Sequence, residues 1–169
     1  MSFLELAKRR YSERCFADTP LEEEKLRQIL EAGRIAPTAC NKQPQRFYVL
    51  KSPGALARAA ELAHTYGAPV VVLVCYLAED AWRNPRDGFC SGDMDASIAA
   101  SSMMFEAEDL GVHSLWLRGF DAEKVHRAFD LPEGAVPSLM LALGYPGEKS
   151  RPASLHEQRG PLEAFVTEL

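Results

Sequence analysis

Two arginines flank a serine in Arg10-x-Ser12-x-Arg14. In an extended chain, residues two apart point to the same side. Two guanidiniums and a hydroxyl would then converge on one spot, a donor set that suits phosphate. The same arginines also fit a plainer role. Lys8, Arg9 and Arg10 sit in the last turn of an expected helix, where cations suit the dipole and remain solvated. A second polar group is Pro37-Thr38-Ala39-Cys40-Asn41-Lys42-Gln43-Pro44. Thr38, Asn41 and Gln43 could hydrogen-bond a planar heterocycle, or the stretch is an ordinary loop of Asn and Pro. The third is Trp116-Leu117-Arg118-Gly119-Phe120, after an apolar run. A glycine there lets a backbone N–H approach a ligand closely, or simply turns the chain into the next helix.

The elements that must position these groups follow from periodicity. Residues 3–10 predict a short amphipathic helix with Phe3, Leu4 and Ala7 on one side. Thr19-Pro20-Leu21-Glu22 predicts a capping box and a helix to about Ile35, with Leu26, Ile29 and Leu30 inward. Phe47–Leu50 predicts a strand, and Ser52-Pro53 opens a helix to about Ala63. Val70–Leu77 is continuously apolar and predicts a buried central strand. Residues 79–92 predict a polar loop containing Trp82 and Phe89.

From Asp93 to Leu110 one stripe holds Ala96, Ala99, Ala100, Met103, Ala107 and Leu110, and a second holds Met94, Ile98 and Phe105. A helix apolar on two faces is buried on two faces, so it is expected to cross the core and meet a partner subunit. Strands at 112–117 and 136–143, a helix capped by Asp121, and a short helix at 161–166 complete the reading. There is no internal repeat or linker, so residues 1–169 are expected to form a single α+β domain.

Composition narrows the classes. At 169 residues, 47% hydrophobic and 25% charged, the chain can bury a core without staples. No apolar run reaches the roughly 20 residues of a membrane span. Net charge is −5 with no like-charge block, and nothing argues for nucleic-acid binding. The opening Met1-Ser2-Phe3-Leu4-Glu5 has no basic stretch followed by an apolar run, so a cytoplasmic protein is expected. Cys15, Cys40, Cys75 and Cys90 are widely spaced, and free thiols fit a reducing compartment. The four histidines lack metal-site spacing, so no metal is expected.

Taken in order, Arg10-Tyr11-Ser12-Glu13-Arg14-x-Phe16 and Ala36-Pro37-Thr38-Ala39-Cys40-Asn41-Lys42-Gln43-Pro44 resemble the opening of the FMN-dependent nitroreductase family. Gly92-Asp93-Met94-Asp95-Ala96-Ser97-Ile98, Trp116-x-x-Gly119-Phe120-Asp121, Leu143-Gly144-Tyr145-Pro146 and Arg159-Gly160-Pro161-Leu162-Glu163 continue the likeness along nearly the whole chain. The chain is similar to the family's short members. The resemblance implies a mostly antiparallel central sheet flanked by helices, in an intertwined homodimer with FMN in two interface clefts.

It also implies the contacts. Arg10, Tyr11, Ser12 and Arg14 would meet the phosphate, ribityl chain and pyrimidine edge, and Arg159 the phosphate. Pro37, Thr38, Ala39, Asn41 and Gln43 would line the flavin, from the other subunit. Leu117, Arg118 and Gly119 would meet the isoalloxazine edge near N5. Cys40, Trp82 and Phe89 are candidates for the substrate pocket. Trp82 and Phe89 would form a mobile cover, or pack on the surface as loop aromatics. Cys40 fits a small packing residue better than a redox partner.

No catalytic side chain is implied, because flavin carries the chemistry. The implied reaction takes hydride from NAD(P)H and passes two electrons to a small conjugated oxidant, such as a nitroaromatic or quinone. A non-catalytic flavin sensor or storage module, or a related chemistry such as reductive dehalogenation, would share the same cofactor site. Two departures stand out. Some members carry a lysine before the third strand, where this chain has Ala63-His64-Thr65-Tyr66-Gly67, leaving Arg14 to stabilise negative charge on the flavin. Many have Trp after the Gln-Pro pair, where this chain has Gln45.

Overall fold

A computed structural model describes residues 1–169. Four strands, β1 (Gln45–Leu50), β2 (Val70–Leu77), β3 (His113–Leu117) and β4 (Ala135–Gly144), form one sheet in the order β1-β2-β4-β3. Every pairing is antiparallel. Helices α1 (Phe3–Arg9), α2 (Glu23–Arg34), α3 (Pro53–Leu62), α4 (Gly92–Asp109) and α5 (Ala122–Ala128) surround it.

The strands alternate between two cores. Val70, Val72 and Val74 of β2 and Leu139, Leu141 and Leu143 of β4 pack with α2 and α4. Val71, Leu73, Cys75, Met140 and Ala142 face the other way, with Ala59 of α3 and Val125 of α5. The sheet is therefore sandwiched between helix layers, which is why β2 reads as an unbroken apolar run. Each fully buried Val or Leu contributes about 1.5–3 kcal/mol over an exposed one.

Pro137 cannot donate to the ladder, and the register of β4 against β2 shifts between Val74 and Cys75, where Ser138 is skipped. The Ser138 hydroxyl donates to Asp93 Oδ1 at 2.7 Å, tying the sheet to the start of α4. Gly92 lies so close to Tyr76 that a Cβ would overlap the ring, so α4 can begin there only with glycine.

On α4 the stripe Ala96, Ala99, Ala100, Met103 and Ala107 is fully buried against α2 and the sheet. The second stripe is only partly covered. Phe105 meets Phe3 of α1 edge-on at 4.9 Å, while Met94 is 48% exposed. Arg9 donates to Glu108 Oε1 (2.6 Å) and to the Glu108 carbonyl (2.7 Å), which fixes α1 on α4.

Three local expectations shift. Thr19 does not cap α2, which starts at Glu23 without a side-chain cap because Leu21 first turns into the core. On α1 the buried residue is Leu6, and Phe3 and Leu4 are exposed. The last helix is a single 3-10 turn, Leu162–Ala164, since so short a segment cannot repay helix nucleation. No helix is long and apolar enough to cross a membrane.

Candidate functional site

The antiparallel order sets the geography. The start of β1, the end of β2, the start of β4 and the end of β3 lie at one end of the sheet. β1 and β3 are opposite edges, about 14 Å apart at ~4.8 Å per strand spacing. The stretch 37–43 therefore enters at one edge, and Leu117–Gly119 leaves at the other.

Residues 10–17 run beside the β3 edge. Ser12 bridges Ser114 in parallel sense, and the Glu13 N–H donates to the Ser114 carbonyl at 3.0 Å. Phe16 then bridges Pro146, and the Gly147 N–H donates to the Cys15 carbonyl. The chain bends at Cys15, where the successive N–H groups of Arg14 and Cys15 both turn to Glu13 Oε1. Glu13 is buried, whereas Arg14 is exposed and folds back to donate to the Ser12 carbonyl at 3.2 Å. Tyr11 turns inward: its hydroxyl meets Ser150 Oγ at 2.8 Å, and its ring lies edge-on to His113 and His156.

Arg10 is half-buried. Burial loosens its hold on the proton, the charge of Glu108 opposes that, and the nearby charge of Arg159 adds to it. The fold thus brings together two guanidiniums from opposite ends of the chain. Arg159 donates only to the Leu155 and Gln158 carbonyls. Two neighbouring cations, neither hydrogen-bonded to a carboxylate, suit a phosphate. Arg159 lines a cleft with Lys8, His156 and Glu157, and Ser12, Arg14, Lys149, Arg151 and Ser154 line another of about 630 Å³. Glu13 lines it too, but its carboxylate is committed to inward hydrogen bonds. The cleft is therefore cationic and within the usual range of small-ligand sites, about 300–1,000 Å³.

At the far end of β3 the Arg118 guanidinium stacks over Phe120 at 5.1 Å. Gly119 faces open space. Asp121 caps α5 by accepting from the Glu123 and Lys124 N–H groups, which ends the turn at a fixed point.

The loop 37–43 is built from unusual backbone. Cys40, Asn41 and Gln43 all have φ of +51°, a region that costs a residue other than glycine about 1–3 kcal/mol. Local bonds hold it: Thr38 Oγ1 accepts from the Gln43 N–H at 3.0 Å, and the Gln43 amide donates to the Asn41 carbonyl at 3.3 Å. Asp95, buried in the first turns of α4, accepts from the Ala39 N–H at 2.9 Å and the Ser91 hydroxyl at 2.7 Å. Ser91 closes the 78–91 loop by donating from its N–H to the Trp82 carbonyl. Trp82 is half-buried and Phe89 and Cys40 are exposed, all at the same end of the sheet as Leu117–Gly119.

The structure thus brings Arg10, Ser12, Arg14 and Arg159 to the β3 side and gathers Thr38, Cys40, Asn41 and Gln43 on the β1 side. A single chain does not join the two sets. Reading the sequence alone misses Glu13, His113, Ser150 and Asp95. Glu13 looks like the spacer of an alternating motif, and Asp95 like a dipole-complementing acid in a first helical turn. No three of the His, Cys, Asp and Glu residues group as metal ligands.

A profile of the nitroreductase family matches residues 7–65 and 58–145. The chain belongs to the nitroreductase family. Within it, a protein from Clostridium difficile 630, described as a nitroreductase family protein, superposes with a TM-score of 0.93. That pair is 38% identical, over 99% of this chain and 98% of the other. A Thermus thermophilus relative named NADH dehydrogenase is 32% identical over 95% of this chain and 92% of its own. A Desulfovibrio desulfuricans protein solved in complex with FMN superposes with a TM-score of 0.82 at 27% identity, covering 100% of this chain and 97% of its own. The nitroreductase fold accounts for the all-antiparallel sheet between helix layers and for the long helix α4 at its centre.

Proposed function

We infer that this nitroreductase-family protein is an FMN-dependent oxidoreductase. It takes hydride from NADH or NADPH and passes two electrons to a small, flat, conjugated acceptor such as a nitroaromatic or a quinone. Donor and acceptor use the same place in turn. Bound FMN supplies the hydride chemistry at N5, and the chain binds and orients it. The observation that carries this reading is the cationic cleft lined by Ser12, Arg14, Lys149 and Arg151, together with a half-buried Arg10 that feels the charge of Arg159. A Thermus relative named NADH dehydrogenase and a structural neighbour holding FMN support it.

Each residue has a part. Arg10, Arg159 and the Ser12 hydroxyl hold the phosphate and the adjoining chain. Arg14 faces the pyrimidine edge and stabilises negative charge that builds there. Backbone groups of Leu117, Arg118 and Gly119 border N5. The 37–43 loop covers the ring with Thr38, Asn41 and Gln43 from a second copy of the chain. Residues 1–169 act as one FMN-binding unit in a homodimer, since the β1 and β3 edges of one copy are too far apart to share a ring. The uncovered apolar residues fit such a pairing: Leu162 is 71% exposed, Phe165 75% and Met94 48%. Trp82 and Phe89 border the acceptor.

Titration of flavin-free protein with FMN and with riboflavin tests the phosphate assignment. Arg10→Ala and Arg159→Ala should each weaken FMN about tenfold or more and leave riboflavin unchanged. Equal affinity for FMN in wild type and both variants would contradict it. Sedimentation should give a dimer, and a monomer that binds FMN with full affinity would refute the shared cleft.

A further inference from the structure

Behind the exposed face of residues 10–14 sits a carboxylate that the functional reading leaves without a role. Glu13 is 1% exposed. Its Oε1 accepts from the N–H groups of Arg14 (3.0 Å) and Cys15 (2.8 Å). Its Oε2 accepts from the Ser150 hydroxyl (2.5 Å) and faces His113 Nδ1 at 3.0 Å. One buried group therefore joins three pieces of chain: the Arg10–Phe16 segment, β3, and the stretch after β4 that leads to Arg159. Ser150 in turn meets the Tyr11 hydroxyl, and Tyr11 packs edge-on to His113.

Burying a carboxylate is costly, and an apolar side chain would brace a loop as well. Glu13 overcomes that cost with four hydrogen-bonding partners, two of them backbone N–H groups on either side of the Arg14 Cα. With both N–H groups drawn inward, the Arg14 side chain must leave on the opposite, cleft-facing side. The direction of Arg14 is thus set by the residue before it.

We propose that Glu13 is the positioning residue of Arg14, aiming its guanidinium at the flavin from inside the fold. The inference rests on the FMN reading above and names what orients that site. Glu13 touches neither cofactor nor substrate.

The test is a cycle of Glu13→Ala, Arg14→Ala and the double variant in the full-length chain, read as the dissociation constant for FMN. Glu13→Ala should weaken FMN about tenfold, the loss expected when a charge-assisted arrangement is released. In the Arg14→Ala background the same change should cost much less, because residues that act through one another are not additive. Glu13→Gln keeps an oxygen for both N–H groups and should recover most of the affinity. Melting of the flavin-free protein is followed alongside. If Glu13→Ala lowers the melting temperature but leaves FMN affinity unchanged, Glu13 is only a brace and the proposal falls. Losses that simply multiply in the double variant overturn it equally. Should Glu13→Ala not fold, Ser150→Ala decides: the proposal stands if that variant weakens FMN severalfold, and falls if it binds as wild type. Wild-type protein that takes up no FMN refutes the FMN reading and this role with it, a result distinct from normal wild-type binding with an indifferent Glu13.

Discussion

The segment Arg10–Phe16 and the loop 37–43 both hang from a buried carboxylate, Glu13 in one case and Asp95 in the other. They use it to opposite ends. The first pairs with the β3 edge at Ser12 and bends at Cys15, and it presents two side chains to the cleft, Ser12 and Arg14. The second coils through three residues at φ +51°, so its shape is stored in the backbone, and Thr38 and Gln43 are occupied in holding it. One region offers charge on a relaxed scaffold. The other stores its shape in strained backbone.

Arg14→Ala breaks the first region where it acts. It should lower flavin affinity or the rate of reduction about 10- to 100-fold, in line with the ~1.5–3 kcal/mol of a hydrogen bond to a charged group. The flavin-free protein should melt as before, because Arg14 is exposed. Unchanged affinity and rate would sink the assignment.

Asp95→Ala breaks the second region through its anchor. It strands the Ala39 N–H and the Ser91 hydroxyl, which should cost about 1–3 kcal/mol in urea unfolding and open 37–43 to proteolysis. Protection equal to wild type would mean that the loop does not depend on Asp95.

Acid should separate the two anchors. Burial pushes the Glu13 carboxyl up, but hydrogen bonds from Ser150, Cys15 and His113 outweigh it and hold the group below its ordinary 4.5. A carboxyl lowered on folding adds stability above its unfolded value, and that stability is lost as pH falls through the folded value. Stability should therefore drop below about pH 4.5 more steeply in wild type than in Glu13→Gln. Parallel acid limbs would show that Glu13 carries no such linkage.

The smallest effect sharpens the contrast in backbone. Cys40→Gly relieves a left-handed residue and should stabilise by about 0.5 kcal/mol, whereas Cys15→Gly, at a position with no positive φ, should destabilise by a similar amount. The same sign at both sites, in paired thermal melts, would mean that the loop is not strained.

Much of the scaffold is legible in local pattern. The run Val70–Leu77 is the observed β2 to the residue, and Ser52 and Asp121 cap α3 and α5 as their positions suggest. Where the reading slips, tertiary packing has overridden a local signal. Leu21 enters the core before α2 starts, and Leu6 replaces Phe3 and Leu4 as the inward residue of α1. The site divides in the same way. The Arg10-x-Ser12-x-Arg14 alternation is a two-residue rule and can be read directly. Glu13 depends on His113 and Ser150, far away in the chain, and no local pattern announces that meeting. Nor does sequence show that Cys40 and Gln43 take the left-handed region. Only Asn41 has a side chain that favours it.

An absorption spectrum of the purified protein, before and after NADH or NADPH under argon, tests the central claim most directly. Bound-flavin bands should bleach within seconds of adding at least one of the two nucleotides. Protein that stays colourless after incubation with FMN, or bound flavin that neither nucleotide bleaches, would contradict it.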